Sequence, residues 1–511
     1  MKRLLIIALL LLPSGLFAQS AAVKEIMRIS KEDNRVMQHL DILCNRFGGR
    51  MVGSDAYDNA AEWAAHTFKQ WGLEVELEKA GEMCVGFNRG GWWGRMTGEQ
   101  TMPLYFTTPS YTSGTKGPQK GHVVIEPRTE AEFNRLKHKL NGAWVLVNGT
   151  NTGWALEHDA KAAEKRKAII EANAEATRHN REVAGKEGAE LKEIDTTTPA
   201  LFYDQMVEAG VLGFIQASKV PIRTLYDRAI VRDGGYTFET LPTVPDIRLD
   251  EAQYSTIRKM VEERRDVVLE FDIRNYFKMG PVPYHSVVAT IKGSKYPDEY
   301  VIVGGHLDAY DVATGGVDCG SGCSAVMEAA RMIASSGAKP ERTMKFILFA
   351  AEEIGLVGAT AWTKQHPDLL PKISNMFNRD GGPLAYISFS VPASLKKEYD
   401  KIAEPIKELY PDYNFQINTT NPSPKPTSAG GTDATVFQVA GVPAVQMRES
   451  DVKGYDFNYM EIWHTERDTY RKSIPEYQKQ AATVLAIMTL GTANLSKQWP
   501  REEVYKAPEA K

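Results

Sequence analysis

Tyr300-Val301-Ile302-Val303-Gly304-Gly305-His306-Leu307-Asp308 begins as an apolar run and ends on an imidazole and a carboxylate. Such a run, closed by glycines, reads as a buried strand. Ala325 to Ala334 then reads as a helix, Thr343 to Phe349 as a second strand and Ile373 to Phe377 as a third. Thr432 to Val439 suggests another helix, Val442 to Met447 a fourth strand, and Ile474 to Leu490 a final amphipathic helix. Strands alternating with helices predict an α/β fold: a mainly parallel sheet covered by helices on both faces. In such sheets, sites form at the carboxyl ends of the strands.

Upstream, Asp55 to Leu73 has helical periodicity with Ser54 as its cap, and Leu73 to Leu77 alternates like a strand. From about residue 90 to 120 the composition turns to Gly, Thr, Ser and Pro, a loop-rich boundary. Short strands follow at His122–Ile125, Ala143–Val147 and Val267–Ile273, with helices around 157–192 and over Tyr254–Arg264. This divides the chain into a discontinuous α/β body, 19–104 and 276–500, an inserted domain, 105–275, and a tail, 501–511.

The 511 residues carry a net charge of −4, with 43% hydrophobic and 25% charged residues. That excludes a disordered chain and leaves no basic footprint for nucleic acid or anionic membrane. Lys2 and Arg3, the apolar run Leu4–Leu12, the break at Pro13-Ser14-Gly15 and the small residue Ala18 read as a signal peptide over 1–18. The run is too short for a membrane span, which needs about 20 apolar residues. The mature protein is expected to be exported, to the periplasm or outside the cell, with no membrane span. Cys44, Cys84, Cys319 and Cys323 are too few for a disulfide scaffold, and buried thiols are the favoured reading, although Cys44 and Cys84 could pair.

The chemistry gathers at the strand ends. The first strand runs into His306 and Asp308, Asp318 precedes the helix, and the second strand runs into Glu352-Glu353. The third runs into Asp380, and a late loop carries Trp463-His464. Two imidazoles and three carboxylates without a thiolate suit zinc best, with cobalt or manganese as substitutes. A carboxylate shared by two ions would hold them about 3.5–4 Å apart. Asp308 is placed to accept the other N–H of His306, and Glu352 is left to act as general base.

At these residues the chain resembles the secreted co-catalytic di-zinc exopeptidases, the family of bacterial leucyl aminopeptidases, aminopeptidase Y and the glutamate carboxypeptidases. The likeness is strongest over Val301–Ala361 and Gly430–Thr469. It implies two zinc ions per chain: His306, Asp318 and Asp380 on one, Asp318, Glu353 and His464 on the other, with Glu352 as the catalytic base. It also implies short peptides as substrates, a protease-associated-like fold for the insertion, and a possible homodimer. The sequence departs from the family pattern at Cys319, where Asp or Asn usually follows the bridging Asp, often across a cis peptide bond. Gly431-Thr432-Asp433 stands where some aminopeptidases carry an Arg, and Trp463 where others have Tyr or His. Two other readings stand beside this one: a single-zinc acyl transferase of the glutaminyl cyclase kind, and a non-catalytic receptor-like relative. Arg379, Arg448 and Arg467 are the sequence candidates for binding a substrate carboxylate.

Overall fold

The computed structural model describes residues 14–225 and 236–506. Most of the expected leader, 1–18, lies outside the described residues, as does the end of the tail. The central sheet has five strands: β1 (Glu74–Asn88), β2 (Tyr276–Ile291), β3 (Tyr296–His306), β4 (Arg342–Phe349) and β5 (Ile373–Asn378). Their order is β1-β2-β4-β3-β5. The β4-β3-β5 part is parallel. β1 pairs antiparallel with β2, and β2 antiparallel with β4. The sheet is therefore mixed rather than mainly parallel. The chain leaves the sheet at the end of β1 and re-enters at the start of β2, and such a direct return produces an antiparallel pair.

Helices α1 (Asp55–Gln70), α2 (Gly320–Ser335) and α3 (Pro475–Ala493) pack around the sheet. The Ser54 hydroxyl caps α1 by accepting from the Tyr57 amide. α2 and α3 are buried on nearly all sides, and Ile302, Val303, Phe346 and Ile347 fill the sheet's two faces.

The expected fourth strand, Val442–Met447, does not form. Pro443 has no N–H to give a ladder. The segment instead runs beside β5, where the Pro443 carbonyl accepts from Met376 N at 2.8 Å and Val445 N donates to the Asn375 side chain at 3.0 Å. A small third sheet joins Ala385–Val391 to Gln416–Thr419 and Arg448–Ser450.

Between β1 and β2 an eight-stranded sheet forms with its own core on both faces, including Trp144, Leu269 and Phe271 on one and Val145 and Phe202 on the other. It starts at Trp92, earlier than the expected boundary, because Trp92–Gly98 pairs antiparallel with Val267–Ile273 and closes the insertion at its neck. The loop-rich reading of 90–120 missed this strand. At the other end of the chain the tail packs down, with Tyr505 Oη donating to the Val442 carbonyl at 2.6 Å. All four cysteines are free thiols, and Cys84, expected to be buried, is exposed on β1. Among the described residues, no helix is long and apolar enough to cross a membrane.

One buried charge fixes the segment joining β3 to α2. Arg50 is fully buried, and its guanidinium donates to the carbonyls of Leu307, Gly48 and Thr314 at 3.0, 2.9 and 2.9 Å, with Leu43 at 3.2 Å and Gly315 at 3.4 Å. Removing it strands those carbonyls in the core. Arg50→Met is expected to cost at least about 3 kcal/mol. Urea unfolding checks this, and a loss below about 1 kcal/mol would contradict it.

Candidate metal centre

His306 closes β3 opposite Phe349 of β4, so Glu352 and Glu353 leave the sheet at the same edge. Gly304 faces Asn378 of β5, which brings Asp380 to that edge too. Asp318 arrives just ahead of α2 and His464 from the loop after Tyr459–Ile462. His306 Nε2 lies 3.2 Å from Asp318 Oδ1 and 3.4 Å from Asp380 Oδ1. His464 Nε2 lies 3.0 Å from Glu353 Oε2 and 3.7 Å from Asp318 Oδ2. The two carboxylate oxygens of Asp318 thus face one imidazole each. Glu352 sits at the side of this cluster, partly exposed.

The neighbours orient these groups. His306 Nδ1 donates to the main-chain carbonyl of Asp308 at 2.9 Å, while the Asp308 carboxylate is 3.6 Å away. The expected orienting contact therefore comes from the backbone of Asp308. Its carboxylate accepts from the amides of Glu352 and Glu353, both at 3.1 Å, and so fixes the acidic pair. With Nδ1 donating to that carbonyl, Nε2 is the ring nitrogen left facing the cluster. Asp468 accepts from the amides of Val317 and Asp318, and Tyr459 Oη donates to Asp318 Oδ2 at 3.2 Å. The Asp318–Cys319 bond is cis, with cysteine in place of the usual Asp or Asn.

The segment between β1 and β2 reaches the centre. Thr224 N donates to the His464 carbonyl at 3.0 Å, and Arg223 forms a β-bridge with Thr465. Glu466 accepts from Ile222 N at 2.6 Å and Tyr105 Oη at 2.7 Å. Arg223 lies 4.7 Å from the ring centroid of Trp463. His464 has φ +56°, a conformation costing about 1–3 kcal/mol for a non-glycine residue and kept only where surroundings over-determine it. Residues 222–225 and Tyr105 supply those surroundings. They fix the loop that carries His464.

His306 Nε2 and Glu353 Oε1 are buried without a hydrogen-bond partner. Buried polar atoms are rarely left so unless something else satisfies them. A cation among these nitrogen and oxygen donors would do so, and the donor set fits zinc. His306, Asp318 and Glu353 each offer a donor atom within 4.8 Å of the others, and His306, Cys319 and Asp380 do the same.

Electrostatics agree. Burial pushes Glu352 well above the usual carboxylate range, helped by Asp380, Asp433 and Asp308. Burial and then Asp318 do the same to Glu353. Burial, with Asp380 and Asp308, raises Asp433, whose carboxylate has no hydrogen-bond partner. Burial and then Asp318 push Asp468 up to about 8. Asp318 is lowered instead, because His306 and His464 outweigh its burial. A raised folded-state value favours the fold while the acid is protonated, and that contribution is lost as pH rises through it. Asp318 has the opposite sign and loses its contribution only as pH falls through its lowered value. Metal-stripped protein is therefore expected to lose stability as pH rises from the ordinary carboxylate range through about 8, with the metal-loaded form much flatter over that window. Urea midpoints with and without chelator check this, and parallel pH profiles would contradict it.

Residues 286–488 match Peptidase family M28. Over 495 residues the chain is 25% identical to carboxypeptidase Q of Mus musculus, covering 94% of the chain and 90% of the relative. The figures for carboxypeptidase Q of Homo sapiens are 25% over 494 residues, 94% and 90%. A peptidase M28 precursor from Shewanella amazonensis shares the fold at TM-score 0.57 and 21% identity, with 95% of this chain and 99% of that one covered. A zinc aminopeptidase from Bacillus subtilis does so at TM-score 0.51 and 14% identity, with 93% and 98% covered.

Asp468, Tyr459 and the 222–225 segment were missed in sequence as parts of this centre. Asp468 was in plain view four residues after His464, but a lone Asp carries no distinguishing signal. The contact of 222–225 with 463–466 spans more than 200 residues and leaves no periodic trace.

Proposed function

We propose that this chain is an exported zinc-dependent metallo-exopeptidase of the M28 kind, in which His306, Asp318, Asp380, Glu353 and His464 would hold two ions and Glu352 would act as general base. The observation that supports it best is the placement of Asp318 between His306 and His464, with Asp380 and Glu353 completing the two sides. Zinc bound there supplies Lewis acidity for the scissile carbonyl and lowers the pKa of water. Glu352 takes the proton from the attacking water and returns it to the leaving amine. Asp308 holds Glu352 and Glu353 by their amides, so the base and its metal-binding neighbour keep separate directions. Matches to peptidases do not favour the glutaminyl cyclase or receptor-like readings. Export through residues 1–18 and a homodimer belong to the same proposal. N-terminal sequencing of the exported protein and sedimentation test them.

The arginines support one reading of which peptide end is recognised. Arg379 is spent on Glu449 at 2.7 Å and Arg467 on Glu461 at 2.8 Å. Arg223 has no carboxylate partner among the described residues and rests on the indole beside His464. This supports recognition of a substrate α-carboxylate, as the carboxypeptidase Q relatives' name suggests. Dipeptides with free, N-blocked and C-amidated ends test both levels. Amidation is expected to remove most turnover, and Arg223→Ala to raise KM for free-carboxylate substrates about 10–100-fold, the value of a charge-assisted hydrogen bond. Loss on N-blocking instead would overturn this polarity, and no hydrolysis of any dipeptide by zinc-loaded protein would overturn the function.

A further inference from the structure

We infer that Cys319 is a metal ligand, a thiolate donor completing the His306/Asp380 side of the centre. The inference rests on the metal reading above and goes beyond its ligand set. Cys319 is fully buried at the N-terminal boundary of α2. Its Sγ, an imidazole nitrogen of His306 and a carboxylate oxygen of Asp380 all lie within 4.8 Å of one another. His306 Nδ1 is occupied by the Asp308 carbonyl, and Nε2 is the buried nitrogen left without a hydrogen-bond partner. Donor atoms around a tetrahedral zinc ion with normal Zn–N, Zn–O and Zn–S bonds lie about 3.4–3.8 Å apart. The 4.8 Å limit on the cluster lies about 1.0–1.4 Å above that spacing.

The backbone leaves room for the sulfur. A Cβ on Gly322 would stand 2.4 Å from Cys319 Sγ, and one on Gly305 would stand 3.5 Å from it. Cys319 Sγ also donates to the Arg379 carbonyl at 3.1 Å. On metal binding the S–H bond breaks, a sulfur–metal bond forms, and the proton goes to solvent.

A soft sulfur donor selects thiophilic ions such as zinc, cobalt and cadmium over magnesium or manganese. The His306/Asp380 side would then offer four protein donors, His306, Asp318, Asp380 and Cys319, the number that typifies a closed site.

The test is the absorption spectrum of protein loaded with cobalt(II). The expected result is a near-ultraviolet sulfur-to-cobalt charge-transfer band that is absent in Cys319→Ser and retained in Cys323→Ser. Cys319→Ser should also bind the tighter ion more than about 10-fold more weakly. X-ray absorption on zinc-loaded wild type needs no substitution, and should show a sulfur shell near about 2.3 Å. Bound cobalt without the band, or a zinc shell of nitrogen and oxygen alone, overturns the assignment and leaves the metal centre standing. A band lost in Cys323→Ser and kept in Cys319→Ser overturns it in favour of the neighbouring thiol. Failure of wild type to bind cobalt or zinc overturns the metal reading and this inference together.

Discussion

Glu352→Gln is expected to keep its metal and its fold while turnover falls about 10²–10⁴-fold, the usual contribution of a positioned general base. The amide preserves the shape and hydrogen-bonding reach of the side chain but cannot take a proton. The prediction is specific to this member of the pair. Glu353 is buried with His464 Nε2 3.0 Å from its carboxylate, whereas Glu352 is partly exposed at the edge of the cluster. Glu353→Gln should weaken metal binding, with activity partly restored by added zinc. Steady-state kinetics and metal analysis on the two variants separate the roles. If Glu352→Gln loses metal and is rescued by zinc, the roles are reversed. Near-normal turnover would remove Glu352 from the mechanism.

Asp318→Ala carries the second large effect. Asp318 is the only carboxylate that faces both imidazoles among the described residues. Losing an outer-shell partner costs about 10–100-fold in metal affinity, so losing a ligand shared by two ions should cost more than about 100-fold at both positions. The variant also leaves the Asp468 contacts to the Val317 and Asp318 amides in place. The fold around the centre should therefore persist. Isothermal titration with zinc should show both binding events weakened together. Loss of one event with the other unchanged would mean that Asp318 serves a single ion.

The parts of the fold legible in the sequence are those with local causes. β3, β4 and β5 are short apolar runs ending in punctuating residues, and α1 announces itself by a serine cap and an apolar stripe. The convergence of His306, Glu353 and Asp380 was readable because they follow β3, β4 and β5, with Asp318 just ahead of α2; His464 instead follows the short helix Tyr459–Ile462, and the strand expected before it does not form. Val442–Met447 was misread because its apolar pattern outweighed Pro443, whose missing N–H excludes a ladder. The antiparallel β1/β2 ribbon was hidden because its two strands are separated by the whole insertion. Arg50 gave no signal, since its partners are backbone carbonyls scattered over 43–48 and 307–315. The hold of the insertion on His464 was hidden for the same reason: it is made largely by main-chain atoms, which any sequence supplies.

The central claim is that one carboxylate organises two ions. Crystals of zinc-loaded protein, measured on both sides of the zinc absorption edge, test it most directly. Two anomalous peaks per chain are expected, about 3.5–4 Å apart, with Asp318 between them, His306 and Asp380 on one and Glu353 and His464 on the other. A single peak at saturating zinc in a fully active enzyme, or two peaks that do not share Asp318, would contradict it.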